Sequence, residues 1–326
     1  LTCCSSTVPA VFKPMEEQKP YYDFGEFLKK HFSVKVQKIA INAGFTCPNR
    51  DGLKGTGGCT YCNNQTFNPD YCQPELTVTQ QLEKGKQFFA RKYPEMKYLA
   101  YFQAYTNTYA ELPRLTAMYE EALAVPDVVG IIIGTRPDCM PDSLLDYLEA
   151  LSKKTFVLVE YGAETADNAT LLTINRGHTW EDTVNAVQRT NARHILCGLH
   201  LILGLPGEDE ATVMRTADAV SALPIDTLKL HQLQLIKGTR LANQVARGEL
   251  SVPSWTAEEY IDLCLKFLSR TRPDIAVERF VSQSPDHLLI SPRWGLKNYE
   301  FTNKLNAEIR RRHIVQGQTY NGKQTF

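Results

Sequence analysis

The sequence predicts an α/β protein in which a parallel sheet is covered by helices, and three observations lead there. Strand-like and helix-like segments alternate six times in succession, the order that builds parallel βαβ units. Stretches such as Gly130-Ile131-Ile132-Ile133 and Leu199-His200-Leu201-Ile202-Leu203 are nearly continuous apolar runs, as expected of strands buried on both faces. Polar or glycine-rich residues follow all six strands. Six units are fewer than the eight that close a TIM barrel. An incomplete barrel with a side opening and a doubly wound sheet therefore both remain, and both place functional groups at the carboxyl ends of the strands.

Along the chain, residues 1–32 form an N-terminal arm, polar and proline-containing from Leu1 to about Lys19. The spacing of Phe24, Phe27, Leu28 and Phe32 predicts a short helix over Tyr21–Phe32. Residues 33–240 form the barrel. Its first strand, Val34–Asn42, runs straight into a cysteine-bearing loop. Helix and strand then alternate as Leu76–Tyr93 and Tyr98–Ala104, Leu112–Ala124 and Val128–Gly134, Asp142–Lys153 and Phe156–Gly162, Trp180–Ala192 and Ile195–Gly204, Ala211–Leu223 and Thr227–Leu235. Residues 241–326 form a C-terminal α/β extension packing on the barrel, with a helix over Ala257–Arg270, a strand over Ile275–Val281 and a closing helix over Asn298–Arg312.

The loop from Gly44 to Phe67 organises the rest. It carries Cys47, Cys59 and Cys62 as C-x11-C-x2-C in a context too rich in Gly, Pro and Asn for helix or strand. Three thiolates are one short of a closed structural zinc site, whereas a [4Fe–4S] cluster held by three cysteines keeps one iron open for another ligand. Zinc with Cys72 as fourth ligand, and a disulfide pair beside one thiol, are the alternatives. Gly52, Gly55, Gly57 and Gly58 let the backbone wrap close to a bulky inorganic core. Cys72, Cys139, Cys197 and Cys264 lack C-x-x-C partners and read as small buried hydrophobes.

The 326 residues are 43% hydrophobic and 22% charged, with 36 Lys and Arg against 36 Asp and Glu. Nucleic-acid binding would therefore rest on a local patch. No run of ~18 apolar residues offers a membrane span. Nine cysteines without a secretory leader predict a cytoplasmic protein with reduced thiols.

The stretches GFTCPNRDGLKGTGGCTYCNNQTF, YFQAYTNTYA, GTRPD, VEYGAETA, INRGHT, GLHLILGLPGE, LIKGTRLA and ISPRWGLKNYEFTNKLNAEIRRR resemble the radical S-adenosylmethionine (SAM) superfamily. Within it they fall in the branch shared by the elongator catalytic subunit and oxygen-independent coproporphyrinogen dehydrogenases, and more closely they resemble the YtqA/YhcC-type proteins. The resemblance implies a partial (βα)6 TIM-like barrel, a [4Fe–4S] cluster on Cys47, Cys59 and Cys62, and SAM chelating the open iron. One-electron reduction would cleave SAM to methionine and a 5′-deoxyadenosyl radical, and the electron donor would be a flavodoxin or ferredoxin.

Carried over by position, the SAM contacts are Glu164 and an arginine on the following helix, Arg176; His200, at a strand position that is acidic in the branch; Gln103 with Thr106 and Asn107 for the amino group; Tyr61 near the adenine; and Gly204, with Gly207, for close approach of the adenine to backbone. Relatives associated with tRNA wobble uridine imply a tRNA partner and chemistry on the 5-substituent, carboxymethylaminomethyluridine to aminomethyluridine. Arg310, Arg311 and Arg312, with Arg293, Trp294, Lys297 and Lys304, offer either helix-dipole compensation or a phosphate grip. A radical SAM enzyme on a small molecule and a non-catalytic zinc-stabilised module are the alternatives. No residue is assigned as a substrate-side acid, base or hydrogen donor.

Overall fold

A computed structural model describes residues 19–63, 69, 71–90 and 95–322. The expected arm before Lys19 and the end of the cysteine loop at Asn64–Phe67 lie outside them. The elements run α1 (Phe24–His31), β1 (Val36–Ile41), α2 (Val78–Ala90), β2 (Lys97–Phe102), α3 (Leu112–Ala124), β3 (Val128–Thr135), α4 (Asp142–Ser152), β4 (Phe156–Glu164), α5 (Asn168–Thr173), α6 (Trp180–Asn191), β5 (Leu196–Leu203), α7 (Glu210–Ser221) and β6 (Thr227–Gln232). The chain continues through β7 (Leu235–Ile236), α8 (Arg240–Ala246), α9 (Ala257–Arg270), β8 (Ala276–Arg279), β9 (Leu289–Ser291) and α10 (Asn298–Arg312).

The main sheet is parallel and seven-stranded, in the order β1-β2-β3-β4-β5-β6-β8. Sequential order with no reversal excludes the doubly wound alternative, in which the order switches direction part-way. Laid flat, six intervals of ~4.8 Å would hold the edge strands about 29 Å apart. Yet Lys38 on β1 is ion-paired with both Glu278 on β8 and Glu160 on β4, so the sheet is curled into an incomplete barrel. Its seventh strand comes from the segment expected as an extension, and the helices Trp180–Asn191 and Ala257–Arg270 start with capping boxes at Thr179 and Thr256.

Side chains alternate across the sheet with period two. One set, including Ile39, Ile41, Phe102, Ile131, Ile133, Val159 and Leu201, packs beneath the outer helices. Of the other set, Leu99, Ile132, Leu158 and Ala276 meet Phe24 and Phe27 of α1, so the short first helix plugs the barrel at the amino ends of its strands. Asp23 caps it by accepting from the Glu26 amide at 2.8 Å. Toward the carboxyl ends the inward residues turn polar: Lys38, Tyr101, Glu160, His200, Lys229 and His231. Fully buried Gln81 of α2 fixes the exit of β1 by bonding both the N–H and the C=O of Asn42 at 2.9 Å, and the chain there enters the cysteine loop.

Candidate active site

A cavity of about 210 Å³ opens at the carboxyl ends of the strands, and Cys47, Cys59 and Cys62 all line it. Its rim is built by a loop that needs its glycines: Gly58 has φ +76°, and a Cβ there would lie 2.9 Å from the Arg50 guanidinium. Gly58 N–H donates to Asn49 C=O at 2.8 Å, Asn175 Nδ2 to Gly58 C=O at 2.9 Å, and Thr60 N–H to Ile174 C=O at 2.9 Å. The cysteine loop is thus laced to the segment that follows α5.

Cationic and amide donors surround the sulfurs. Arg176 Nη1 lies 3.6 Å and Asn49 Nδ2 3.7 Å from Cys59 Sγ, Arg136 Nη1 lies 4.0 Å from Cys47 Sγ, and Arg50 Nη2 donates to Cys62 C=O at 3.3 Å. Such donors stabilise anionic sulfur and tune a cluster's potential. Burial, and then the neighbouring Cys59, push the Cys62 thiol up to about 11, so binding metal there must displace a proton.

Among the described residues no three His, Cys, Asp or Glu side chains can share one metal ion, and there is no disulfide. A cubane asks something different, since each thiolate binds its own iron at a separate corner. Cysteines spaced around one cavity, among positive donors, fit a cluster and not a mononuclear zinc site. Two buried polar atoms beside them, Thr106 Oγ1 and Arg176 Nε, have no protein partner and are available to a ligand.

Of the residues singled out from sequence, Tyr61, Gln103, Thr106, Asn107, Glu164, Arg176 and His200 line this cavity. Glu164 has φ +67° at the end of β4, and its Oε1 is 3.3 Å from Arg176 Nη2, both side chains being largely buried. Arg176 lies beyond the end of α5 rather than on a helix, with Nη2 also donating to Gly162 C=O at 2.7 Å. The amide of Asn107 is taken up by Ala104 C=O at 2.9 Å and Gly134 C=O at 2.8 Å, which makes it a brace of the strand-two loop. Tyr61 rests on the small cluster of Leu171, Ile174 and Leu205. Gly204 (φ +90°) is set apart, because the Trp255 ring occupies the space its Cβ would need, at 2.7 Å.

Apart from His200, sequence reasoning left the inner wall unassigned. Burial alone would push the Glu160 carboxyl up, but Lys229, Lys38 and His200 hold it well below the usual carboxylate range. Lys229 Nζ lies 2.9 Å from Glu160 Oε2, 3.2 Å from Glu278 Oε1 and 3.2 Å from Tyr101 Oη. His200 Nε2 meets Glu160 Oε2 at 2.8 Å. Burial, followed by Lys229, lowers the His200 pKa, while burial followed by Arg279 and His200 lowers that of His231 well below the usual imidazole range. Both rings are therefore neutral at pH 7. The signal was present in the inward positions of β4, β5, β6 and β8, but only the strand order makes those four neighbours, and only the curl brings Lys38 of β1 to them.

Several members of the C-terminal basic cluster are ion-paired within the chain. Arg311 and Arg312 pair with Glu308 at 2.6 and 2.7 Å, Arg312 also with Asp262 at 2.7 Å, and Lys304 with Glu258 at 3.1 Å. Arg293 donates to the Leu289 and Asp286 carbonyls, and Trp294 Nε1 to Trp255 C=O at 2.9 Å. Carboxylates and carbonyls already compensate much of the charge expected to grip phosphate.

The profile of the Radical SAM superfamily matches residues 45–220, and that of the Radical_SAM C-terminal domain matches residues 225–311. The chain belongs to the radical SAM superfamily. YtqA of Bacillus subtilis (strain 168) is 37% identical over 303 residues, covering 93% of this chain and 94% of its own, and YhcC of Escherichia coli (strain K12) is 36% identical over 304 residues, 93% and 96% respectively. In fold the protein is similar to the archaeal Methanocaldococcus infernus Elp3 with an N-terminal deletion, at TM-score 0.64 and 17% identity over 87% of this chain and 64% of that one. Among the described residues no helix is long and apolar enough to cross a membrane.

The radical SAM cofactors are a [4Fe–4S] cluster and SAM, which together supply one-electron cleavage of a sulfonium C–S bond. The chain's part is placement. Cys47, Cys59 and Cys62 would hold the cluster; the Arg50, Arg136 and Arg176 guanidiniums would offset its negative charge; and Glu164, Arg176, Gln103 and Thr106 would present polar groups to a ligand beside it.

Proposed function

We propose that this radical SAM enzyme acts on the 5-substituent of tRNA wobble uridine, converting carboxymethylaminomethyluridine to aminomethyluridine in the cytoplasm, with a flavodoxin or ferredoxin as electron donor. The observation that carries the radical chemistry is the single cavity joining three separately spaced cysteine sulfurs to the polar inner wall of an unclosed barrel. Support for the tRNA substrate comes from a shorter match, 30% identical over 138 residues, 41% of this chain and 25% of the relative, to a tRNA uridine(34) acetyltransferase of Methanocaldococcus jannaschii.

Mass spectrometry of tRNA nucleosides from a strain lacking the protein tests the reading. Accumulation of the carboxymethylaminomethyl nucleoside, with loss of the aminomethyl one, is expected; an unchanged nucleoside profile removes tRNA as the substrate. A small-molecule substrate is the second reading, favoured by the compensated charges of α10. Under it, 5′-deoxyadenosine would form with reductant and SAM while tRNA stayed unaltered.

A further inference from the structure

The cations around the cavity are matched almost throughout. Lys38 and Lys229 face Glu160 and Glu278, Arg176 faces Glu164, and Arg136 faces Asp138 at 2.9 Å. Arg50, within the cysteine loop, has no carboxylate partner among the described residues but donates to Cys62 C=O at 3.3 Å beside the cysteine sulfurs. Arg279 is different. It lines the cavity and makes no ion pair among the described residues; there its guanidinium meets His231, Nη2 to Nε2 at 3.5 Å, and its buried Nε has no hydrogen-bond partner. His231 is neutral, its pKa lowered by burial and by Arg279 itself, so it accepts from the guanidinium without offsetting its charge.

The backbone explains how Arg279 comes to be there. Pairing of β6 with β8 runs Leu228 to Val277 and then Lys229 to Arg279. Glu278 is thus the extra residue of a bulge, the device that re-aims side chains beside active sites. A regular strand would send Glu278 and Arg279 to opposite faces. Instead Glu278 reaches the lysines within the barrel and Arg279 still lines the cavity. Beyond it the wall is held firm: Gln232 bonds both the N–H and C=O of Ser282, at 2.8 and 2.9 Å, and Ser284 Oγ donates to Gln234 at 2.7 Å. A guanidinium on a braced wall with an unused N–H is suited to fork-like recognition of an oxyanion.

We propose that Arg279 binds an anionic oxygen group, a carboxylate or a phosphate, of the molecule on which the enzyme acts. In the wobble-uridine reading, on which this choice of source rests, the group is the terminal carboxylate of the carboxymethylaminomethyl substituent. Arg279 is then a substrate-binding residue that selects the substituted nucleoside over its product, which lacks that carboxylate.

The test uses the cluster-loaded full chain, with Arg279→Gln and Arg279→Lys. SAM affinity, read by equilibrium dialysis, stays within about twofold of wild type. The apparent KM for tRNA bearing carboxymethylaminomethyluridine rises about tenfold to a hundredfold in Arg279→Gln, the range of a lost charged hydrogen bond, and less in Arg279→Lys, which keeps the charge. Competition by product tRNA distinguishes the sources: an inhibition constant unaffected by Arg279→Gln assigns the nucleoside carboxylate, and one that weakens in step with the KM assigns a backbone phosphate.

A second arm needs no tRNA. Acetate or inorganic phosphate at constant ionic strength raises the wild-type melting temperature saturably, and the effect is lost in Arg279→Gln. Should wild type leave tRNA unaltered while this anion response still depends on Arg279, the wobble-uridine reading fails and the anion site stands. An Arg279→Gln protein with wild-type KM and wild-type anion response overturns the proposal. So does loss of SAM affinity, which would give the guanidinium to the SAM carboxylate.

Discussion

Arg176 places one guanidinium nitrogen 3.6 Å from the Cys59 sulfur and the other 3.3 Å from the Glu164 carboxylate. The end of β4 is thereby coupled to the cysteine loop through a single side chain. Replacing it with Gln removes a positive charge beside a sulfur, so the cluster potential should move to a more negative value, and SAM affinity should fall by about tenfold for the lost charge-assisted contact. Potentiometric titration and equilibrium dialysis read the two effects. Unchanged values in Arg176→Gln would reduce the residue to a brace.

Lys229 is buried between Glu160 and Glu278. Lys229→Met leaves Lys38 as the one lysine facing two buried carboxylates, and removing one partner of a buried ion pair costs about 3–5 kcal/mol. Urea unfolding should show a loss of that size. A near-neutral result would mean that the network is solvated and the barrel more open than its contacts imply.

Glu208 gives the fold a pH dependence. Burial raises its carboxyl to about 7, opposed by donation from Thr165 Oγ1 at 2.6 Å and Leu205 N–H at 3.2 Å. Below about 4.3, the unfolded value, both states are protonated and nothing is lost. Between about 4.3 and about 7 the folded state keeps a proton that the unfolded chain has released, so stability falls as pH rises and levels off above, by on the order of 3 kcal/mol. Glu208→Gln should melt close to wild type at pH 5 and clearly higher at pH 8. A gap that is constant with pH would contradict the assignment.

Gly204 separates packing from ligand binding. With φ +90° and the Trp255 ring 2.7 Å from an added Cβ, Gly204→Ala should cost ~1–3 kcal/mol while SAM affinity stays unchanged. Weakened SAM binding at full stability would restore the adenine contact expected from sequence.

Much of this was legible beforehand because it is local. The helix over Leu112–Ala124 has the expected bounds, since one apolar face and a proline near its start define it. The chain from Thr227 to Leu235 does not: it was expected as one strand, but it parts into β6 and a short β7 that pairs antiparallel with β9, and a partner as far along the chain as Ser291 is from Leu235 leaves no local trace. The cysteine loop announced itself by spacing. Glu160, Lys229, Glu278 and Arg279 did not, because each is an ordinary charged residue in its own strand and becomes part of a site only when strands distant in sequence lie side by side in the sheet. Of the carboxylates that pair with the arginines at the end of α10, Glu308 is legible at helical spacing, whereas Asp262 is contributed by α9.

The most direct measurement is anaerobic reconstitution of the whole chain with iron and sulfide, followed by SAM and reductant, for wild type and for Cys59→Ala. The account predicts about four irons per wild-type chain, a broad absorbance near ~400 nm, and 5′-deoxyadenosine, with all three lost or sharply reduced in the variant. A colourless wild-type protein that takes up one zinc and leaves SAM intact would contradict it.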